Sequence, residues 1–439
     1  MPRLLLLFLV LVALFNVSRV LREPRPTADR PMDFRTCYVG QDVLRQGLNP
    51  YDDATLKRGW QQLVRQENLT SRTQPGLPNL PFLYPPWAVA LFGLTVGRLP
   101  YALAWPLWCG LALLSVGLLA GLWAALLRVA TGAAVPWWQF LVAALALKGT
   151  VPALLAGQPT FVALVLGVSA LAVGRLGTPS GAALGAGASS GAFSAGSAVD
   201  QTQPASTWRR VGAGLLLGLA AFKVTLVLPF AAWFLWKKQW LALAVAVAVV
   251  ALCSAVAWHW AAAPHELLPT YQHLVAQVRA QSFDPTDPDY PLTQGMTLRL
   301  ELGNVLEWLR PGSSAWHVVL HAALWLAASA WLLRHRSRGH ALADWYLFLV
   351  LGTLTLLTTY HLYYDAVLLL PLLGYSARLP RHLQWLLLAL LLPLLLPLNG
   401  LALALGNPAT LHGLYFLPPL GLLGVLGLLL ARPATAQSP

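Results

Sequence analysis

Three stretches of this 439-residue chain bring ionisable and hydrogen-bonding groups together at spacings that could support acid–base chemistry. The first is Met32-Asp33-Phe34-Arg35, followed by Tyr38 and by Gly47-Leu48-Asn49-Pro50-Tyr51-Asp52. The last is Tyr360-His361-Leu362-Tyr363-Tyr364-Asp365, which interrupts apolar sequence on both sides. Between them, segment 261–315 carries His265, Glu266, His273, Arg279, Asp284, Asp287, Asp289 and Arg299. A positioned carboxylate can take the proton of a hydroxyl nucleophile, and Arg, Lys or His can hold a leaving phosphate. Ionisable groups set between membrane-spanning stretches are costly and are functional candidates by default.

Each candidate also has a plain structural reading. Asp33 stands where an amphipathic helix begins and would suit its N-cap, a role compatible with a base because a helix N-terminus keeps a carboxylate ionised. Asp52 fits a turn after Asn49-Pro50-Tyr51. His361 could be a hydrogen-bonded interfacial histidine, Lys223 a snorkelling side chain or a phosphate contact, and Gln158 a satisfied polar group between helices. The run Asp284-Pro285-Thr286-Asp287-Pro288-Asp289 lacks the glycine and terminal glutamate of a calcium loop and reads as solvated. No metal site is expected.

The elements that must position these groups are membrane helices. Only 10% of residues are charged and 57% are hydrophobic, with a mean hydropathy of +0.61; a soluble domain carries roughly 25% charged residues. Leu- and Ala-rich blocks such as Tyr101–Leu127, Trp240–Trp260 and Trp316–Leu333 reach the ~20 residues that a bilayer core requires of a helix. The net charge of +13 sits mostly in short connectors, as the positive-inside rule expects, so a nucleic-acid partner is excluded. The three cysteines make no disulfide framework.

The expectation is an all-α polytopic membrane protein with about twelve transmembrane helices, near 4–21, 82–97, 101–127, 137–155, 159–174, 211–235, 240–260, 316–333, 342–360, 364–376, 383–398 and 414–431. Residues 1–376 form the main module, with outer loops at about 22–80 and 261–315 and a flexible Gly/Ala/Ser-rich loop at 174–207. Residues 377–432 add C-terminal transmembrane helices, and 433–439 a disordered tail. Within the first outer loop, Phe34 to Leu48 reads as an amphipathic helix on the membrane surface, stopped by Gly47. This count puts Arg98 in the cytoplasm but leaves Arg128 and the flanks of loop 174–207 outside, against the charge rule. A hairpin of half-helices near Lys223 would bring that loop back to the cytoplasm, and the sequence leaves both courses open.

Five motifs, in order, resemble glycosyltransferase family 87 membrane proteins, which include polyprenyl-phosphate-mannose-dependent α-1,2-mannosyltransferases. They are Asp33-Phe34 to Tyr38 with Gly47 to Asp52, Phe82-Leu83-Tyr84-Pro85-Pro86, Gly157-Gln158, the Gly-rich run Gly214 to Lys223, and His361 to Asp365 before Leu370-Pro371. The resemblance spans roughly residues 30–375 and departs from the family pattern where Lys223-Val224-Thr225 delays the proline to Pro229.

The resemblance implies a GT-C-type fold in the cell membrane with its active site on the extracytoplasmic side. The implied donor is a sugar, mannose first among the candidates, on a polyprenyl phosphate. The implied acceptor is a glycan or glycolipid, and transfer inverts the anomeric centre. The family's catalytic Asp maps onto Asp33, with His361 beside it. Arg35, Tyr38, Asn49, Tyr51, Asp52, Tyr84, Gln158, Lys223, Tyr364 and Asp365 are then the candidate substrate contacts. No cofactor is implied, and membrane lipids are the remaining partner. The competing reading is a transporter or flippase of a lipid-linked envelope precursor, which needs ionisable groups along a continuous path rather than clustered towards one side.

Overall fold

The apolar blocks fold as helices because, in hydrocarbon, only internal bonds satisfy the backbone N–H and C=O groups. The computed structural model describes residues 3–22, 32–67, 82–131, 135–175, 206–281, 299–310, 314–338, 342–396 and 416–434. The N-terminal helices are α1 (Arg3–Arg22), α2 (Met32–Arg45), α3 (Asp53–Gln66), α4 (Pro86–Leu94) and α5 (Tyr101–Thr131). The middle of the chain holds α6 (Trp137–Ala146), α7 (Thr150–Ala156), α8 (Thr160–Arg175), α9 (Thr207–Ala220), α10 (Val224–Trp236), α11 (Trp240–Trp260) and α12 (Pro264–Gln281). The rest are α13 (Gly303–Leu309), α14 (Ser314–Ser337), α15 (Asp344–Thr358), α16 (Leu372–Ser376), α17 (Arg381–Leu395) and α18 (Leu417–Ala431). Short 3-10 turns cover Ala221–Lys223 and Tyr363–Leu369. Among the described residues the only β pairing is one antiparallel bridge, Arg299 to Leu362, so the all-α expectation stands.

Among the described residues, fewer helices than expected have the length and hydropathy of a span. Tyr101–Ala130, Trp240–Trp260 and Trp316–Ser337 are single helices with the length and hydropathy of a span, and Thr207–Trp236 reaches both as a continuous run. Packing shows that this last run folds back on itself. Val173 and Gly174, at the end of α8, meet Gly212 of α9, Phe234 of α10 and Gln239. Thr160, at the start of α8, meets Lys223. The two limbs are therefore antiparallel and join at Lys223, whose ψ of 81° breaks the helix. The half-helix hairpin is the course adopted, and 211–235 is not a crossing. Loop residues 176–205 themselves lie outside the described residues.

Two further half-depth units have the same form. The α6–α7 pair is bent by 79°, and Gly149 in the bend packs on Tyr363 and Tyr364 before α8 leads back. After α15, the chain turns through Tyr363–Leu369 into α16. The ends of α15 and α16 away from that turn meet again: Arg378 lies 5.4 Å over the Trp345 ring, and the Tyr346 and Tyr375 rings are 6.0 Å apart. The tips of all three units converge at Thr160, Lys223 and Asp365.

The opposite ends make a basic face. Lys237 pairs with Asp344 at 2.5 Å, Arg336 lies 5.7 Å over Trp236, and Leu127, beside Arg128, packs on Gly374. Arg128, Arg209, Arg210, Lys237, Lys238, Arg334, Arg336, Arg378 and Arg381 thus share one side. The anomaly of Arg128 came from counting 82–97 as a span. Helix α4 is only nine residues. Trp87 at its start donates to the Ala221 carbonyl, while Gly93 near its end packs on Trp260. It returns outward without crossing, so Arg98 lies away from the basic face.

On that far side, α2, α3, α4, α12 and the adjoining ends of α5 and α11 form a cap with its own core, including Phe34, Val43, Trp60, Phe82, Trp108 and Leu267. Helix α2 was expected to lie on the membrane surface with one apolar face. Instead Phe34 to Cys37, Val39 to Gln41, Val43 and Leu44 are all buried, because α3 and α4 cover it. Gly47, at φ 80°, ends it as expected.

Candidate active site

The site lies where the cap meets the three hairpin tips. Asp33 sits one residue inside α2 rather than at its cap. Protein surrounds its carboxyl, while the residue as a whole is only half-buried. Burial pushes the carboxyl up to about 6, while a side-chain hydrogen bond with Gln158 and the charge of Lys223 draw it back. Gly157 makes that approach possible. Its φ of 70° suits glycine, and a Cβ there would stand 2.6 Å from Phe34 Cβ and 2.9 Å from the Trp105 ring.

On the bundle side, Asp365 is fully engaged. Lys223 Nζ donates to its Oδ1 at 2.6 Å and to Thr160 Oγ1 at 2.5 Å. Thr160 donates to the same Oδ1 at 3.2 Å, and His361 Nδ1 lies 3.0 Å from Oδ2. His361 is fully buried, and its Nε2 has no partner among the described residues. The Lys223 ammonium also lies 4.6 Å over the Tyr364 ring. Both carboxyls act electrostatically on Tyr84 and Tyr364, so the four groups lie near one another. The N-termini of α8 and α10 point towards them from Thr160 and Val224, which favours an anion there.

The sequence also named residues that the fold places elsewhere. Arg35 Nε donates to the Tyr101 hydroxyl at 2.8 Å, and Tyr38 donates to the Leu99 carbonyl. Asn49 bonds Thr270 and the Tyr51 N–H, and Tyr51 donates to the Tyr84 carbonyl. Asp52 is the N-cap of α3, accepting from Thr55 N at 2.9 Å. These five stabilise the cap and its junction with the segment around Tyr84, away from the Asp365 cluster. His265, Glu266 and His273 are exposed on α12, and Asp284, Asp287 and Asp289 lie outside the described residues.

Sequence reasoning did not single out Thr160, and Arg299 was only one of many charges in its loop. The bridge to Leu362, with Leu300 N donating to the His361 carbonyl at 2.9 Å, sets Arg299 beside the cluster. It is buried, 4.8 Å over the Tyr360 ring and 3.4 Å from Glu301. Among the described residues no group of three His, Cys, Asp or Glu is spaced to hold a metal.

Residues 198–359 match the model of glycosyltransferase family 87. The match takes in Lys223 and Arg299 and stops short of His361. It supports the family resemblance read from the sequence, and with the apolar helices it implies a membrane glycosyltransferase. No curated protein and no solved structure matches the chain.

Proposed function

We propose that this protein transfers a hexose, mannose first among the candidates, from a polyprenyl-phosphate carrier to a hydroxyl of a glycan or glycolipid, with inversion, on a GT-C-type scaffold. The observation carrying this reading is the closeness of a carboxyl raised by burial to a cluster that holds Lys223. Asp33 accepts the proton of the acceptor hydroxyl as its oxygen attacks C1. The C1–O bond to phosphate breaks with its electron pair on the phosphate oxygen. Lys223 and Arg299 stabilise that charge, aided by the two helix N-termini and with His361 beside them. The sugar is attacked on the face opposite the leaving phosphate, and this inverts its configuration. Under the positive-inside rule the basic face is cytoplasmic, so cap and site face outward in the cell membrane.

Incubating the protein in liposomes with polyprenyl-phosphate-[14C]mannose and extracted envelope glycolipids tests this reading. A labelled product carrying a new glycosidic bond is expected. Movement of the labelled lipid across the bilayer without a new bond would sink the transferase reading in favour of transport.

A further inference from the structure

One short segment serves both carboxyls. Gly157-Gln158-Pro159-Thr160 links α7 to α8. Gln158 bonds Asp33, and Thr160, two residues on, bonds Asp365 and Lys223. Two residues of chain span about 7 Å at most, so the backbone points that hold the base and the ammonium stay close together. The segment is itself pinned. The Gln158 N–H donates to the Ala153 carbonyl at 2.9 Å, and the Trp108 indole donates to the Gly157 carbonyl at 2.9 Å. The Ala163 N–H closes on the Pro159 carbonyl at 3.0 Å.

Thr160 is fully buried, and its β-branched side chain has few rotamers open to it. Lys223 is the opposite kind of residue. It stands at the break between α9 and α10, on a flexible four-carbon stem that by itself fixes no position for the ammonium. Three hydrogen bonds close a ring around that ammonium: Lys223 to Thr160 at 2.5 Å, Lys223 to Asp365 at 2.6 Å, and Thr160 to Asp365 at 3.2 Å. Asp365 holds the cation and also offsets its charge. Thr160 holds it as a neutral acceptor and leaves the charge available.

We infer that Thr160 is a positioning residue for sugar transfer: its hydroxyl fixes the Lys223 ammonium near Asp33, so the departing phosphate meets a cation already in place. The inference rests on the transfer proposed above. Charge grows on the bridging oxygen only as the C1–O bond breaks, and a preset donor needs no reorganisation at that moment. Thr160 therefore acts on the chemical step more than on donor binding.

Transfer from polyprenyl-phosphate-mannose by full-length Thr160→Val and Thr160→Ser tests this, paired with solid-state 15N NMR of protein labelled at lysine Nζ in liposomes. The labels fall on Lys57, Lys148, Lys223, Lys237 and Lys238 alone, and Lys223→Arg identifies the Lys223 signal. Thr160→Val keeps the shape and loses the hydroxyl. Its kcat falls roughly tenfold or more, the loss expected of a hydrogen bond to a charged group. Its KM changes little, and its Lys223 signal shifts and broadens. Thr160→Ser restores both rate and signal, although it lacks the methyl group and would be the worse variant if only packing mattered. Full rate in Thr160→Val, a loss confined to KM, an unchanged Lys223 signal, or Thr160→Ser as slow as Thr160→Val would each overturn the positioning role. A wild type that forms no glycosidic bond would remove the proposed function instead, and the NMR comparison would still decide whether Thr160 holds Lys223.

Discussion

Asp33, at the foot of the cap, and Asp365, at the tips of the bundle hairpins, are two enclosed carboxyls that share the Lys223 charge but are otherwise held very differently. Asp365 is held by Lys223, Thr160 and His361. Asp33 has Gln158 and a more distant share of the Lys223 charge, and burial dominates it. One carboxylate is tied down to organise cations; the other is left short of compensation, and a base that takes up a proton during reaction needs that state. Burial alone does not make a base, because what surrounds the carboxyl decides its task.

Removing each carboxyl should separate the two regions, with the larger effect on the bundle side. Asp365→Asn leaves Lys223 and His361 buried without their anion and should cost about 3–5 kcal/mol, read as a lower melting temperature in detergent and poor recovery from membranes. Asp33→Asn should do the opposite. The folded protein raises this carboxyl from 3.8 to about 6, so its ionised form is disfavoured by folding. The penalty is absent below the unfolded value and complete above about 6. The variant should therefore gain stability, at most on the order of 3 kcal/mol, above neutrality and none below pH 4. Equal losses for both variants would erase the contrast.

Smaller changes sharpen it. Gln158→Leu removes a bond that favours the ionised form, so the acid limb of the pH–rate profile should move to higher pH. A limb that moves to lower pH would break the assignment. Asp52→Ala, at the cap of α3, should cost about 1 kcal/mol of stability with the transfer rate per folded protein unchanged. A rate loss without a stability loss would return Asp52 to the substrate contacts.

Much of this was legible in the sequence, and the misses have one cause. Composition set the class, and the spacing from Phe34 to Gly47 set α2. Half-depth helices such as Pro86–Leu94 or Thr160–Arg175 are as apolar as true spans, so hydropathy counts them alike. Their turns are marked only by Gly157-Gln158-Pro159 and by Lys223. Once α4 is no longer counted as a span and the chain turns back at Lys223, Arg128 and the flanks of 174–207 fall on the same basic face. Asp33, Gln158, Lys223 and the His361–Asp365 pair were singled out in the sequence and the fold brings them near one another, but what each touches was not visible. Thr160 and Arg299 reach the site through tertiary packing and one isolated bridge, which leave no local pattern to read.

The central claim is that Asp33 carries the acceptor proton, and the pH dependence of kcat/KM for sugar transfer tests it most directly. Wild type should lose activity as pH falls through about 6, where the base becomes protonated. Asp33→Asn, still folded and membrane-inserted, should transfer roughly a hundredfold more slowly or worse, with that acid limb gone. A near-normal rate in Asp33→Asn, or the same limb persisting in it, would remove Asp33 from the mechanism.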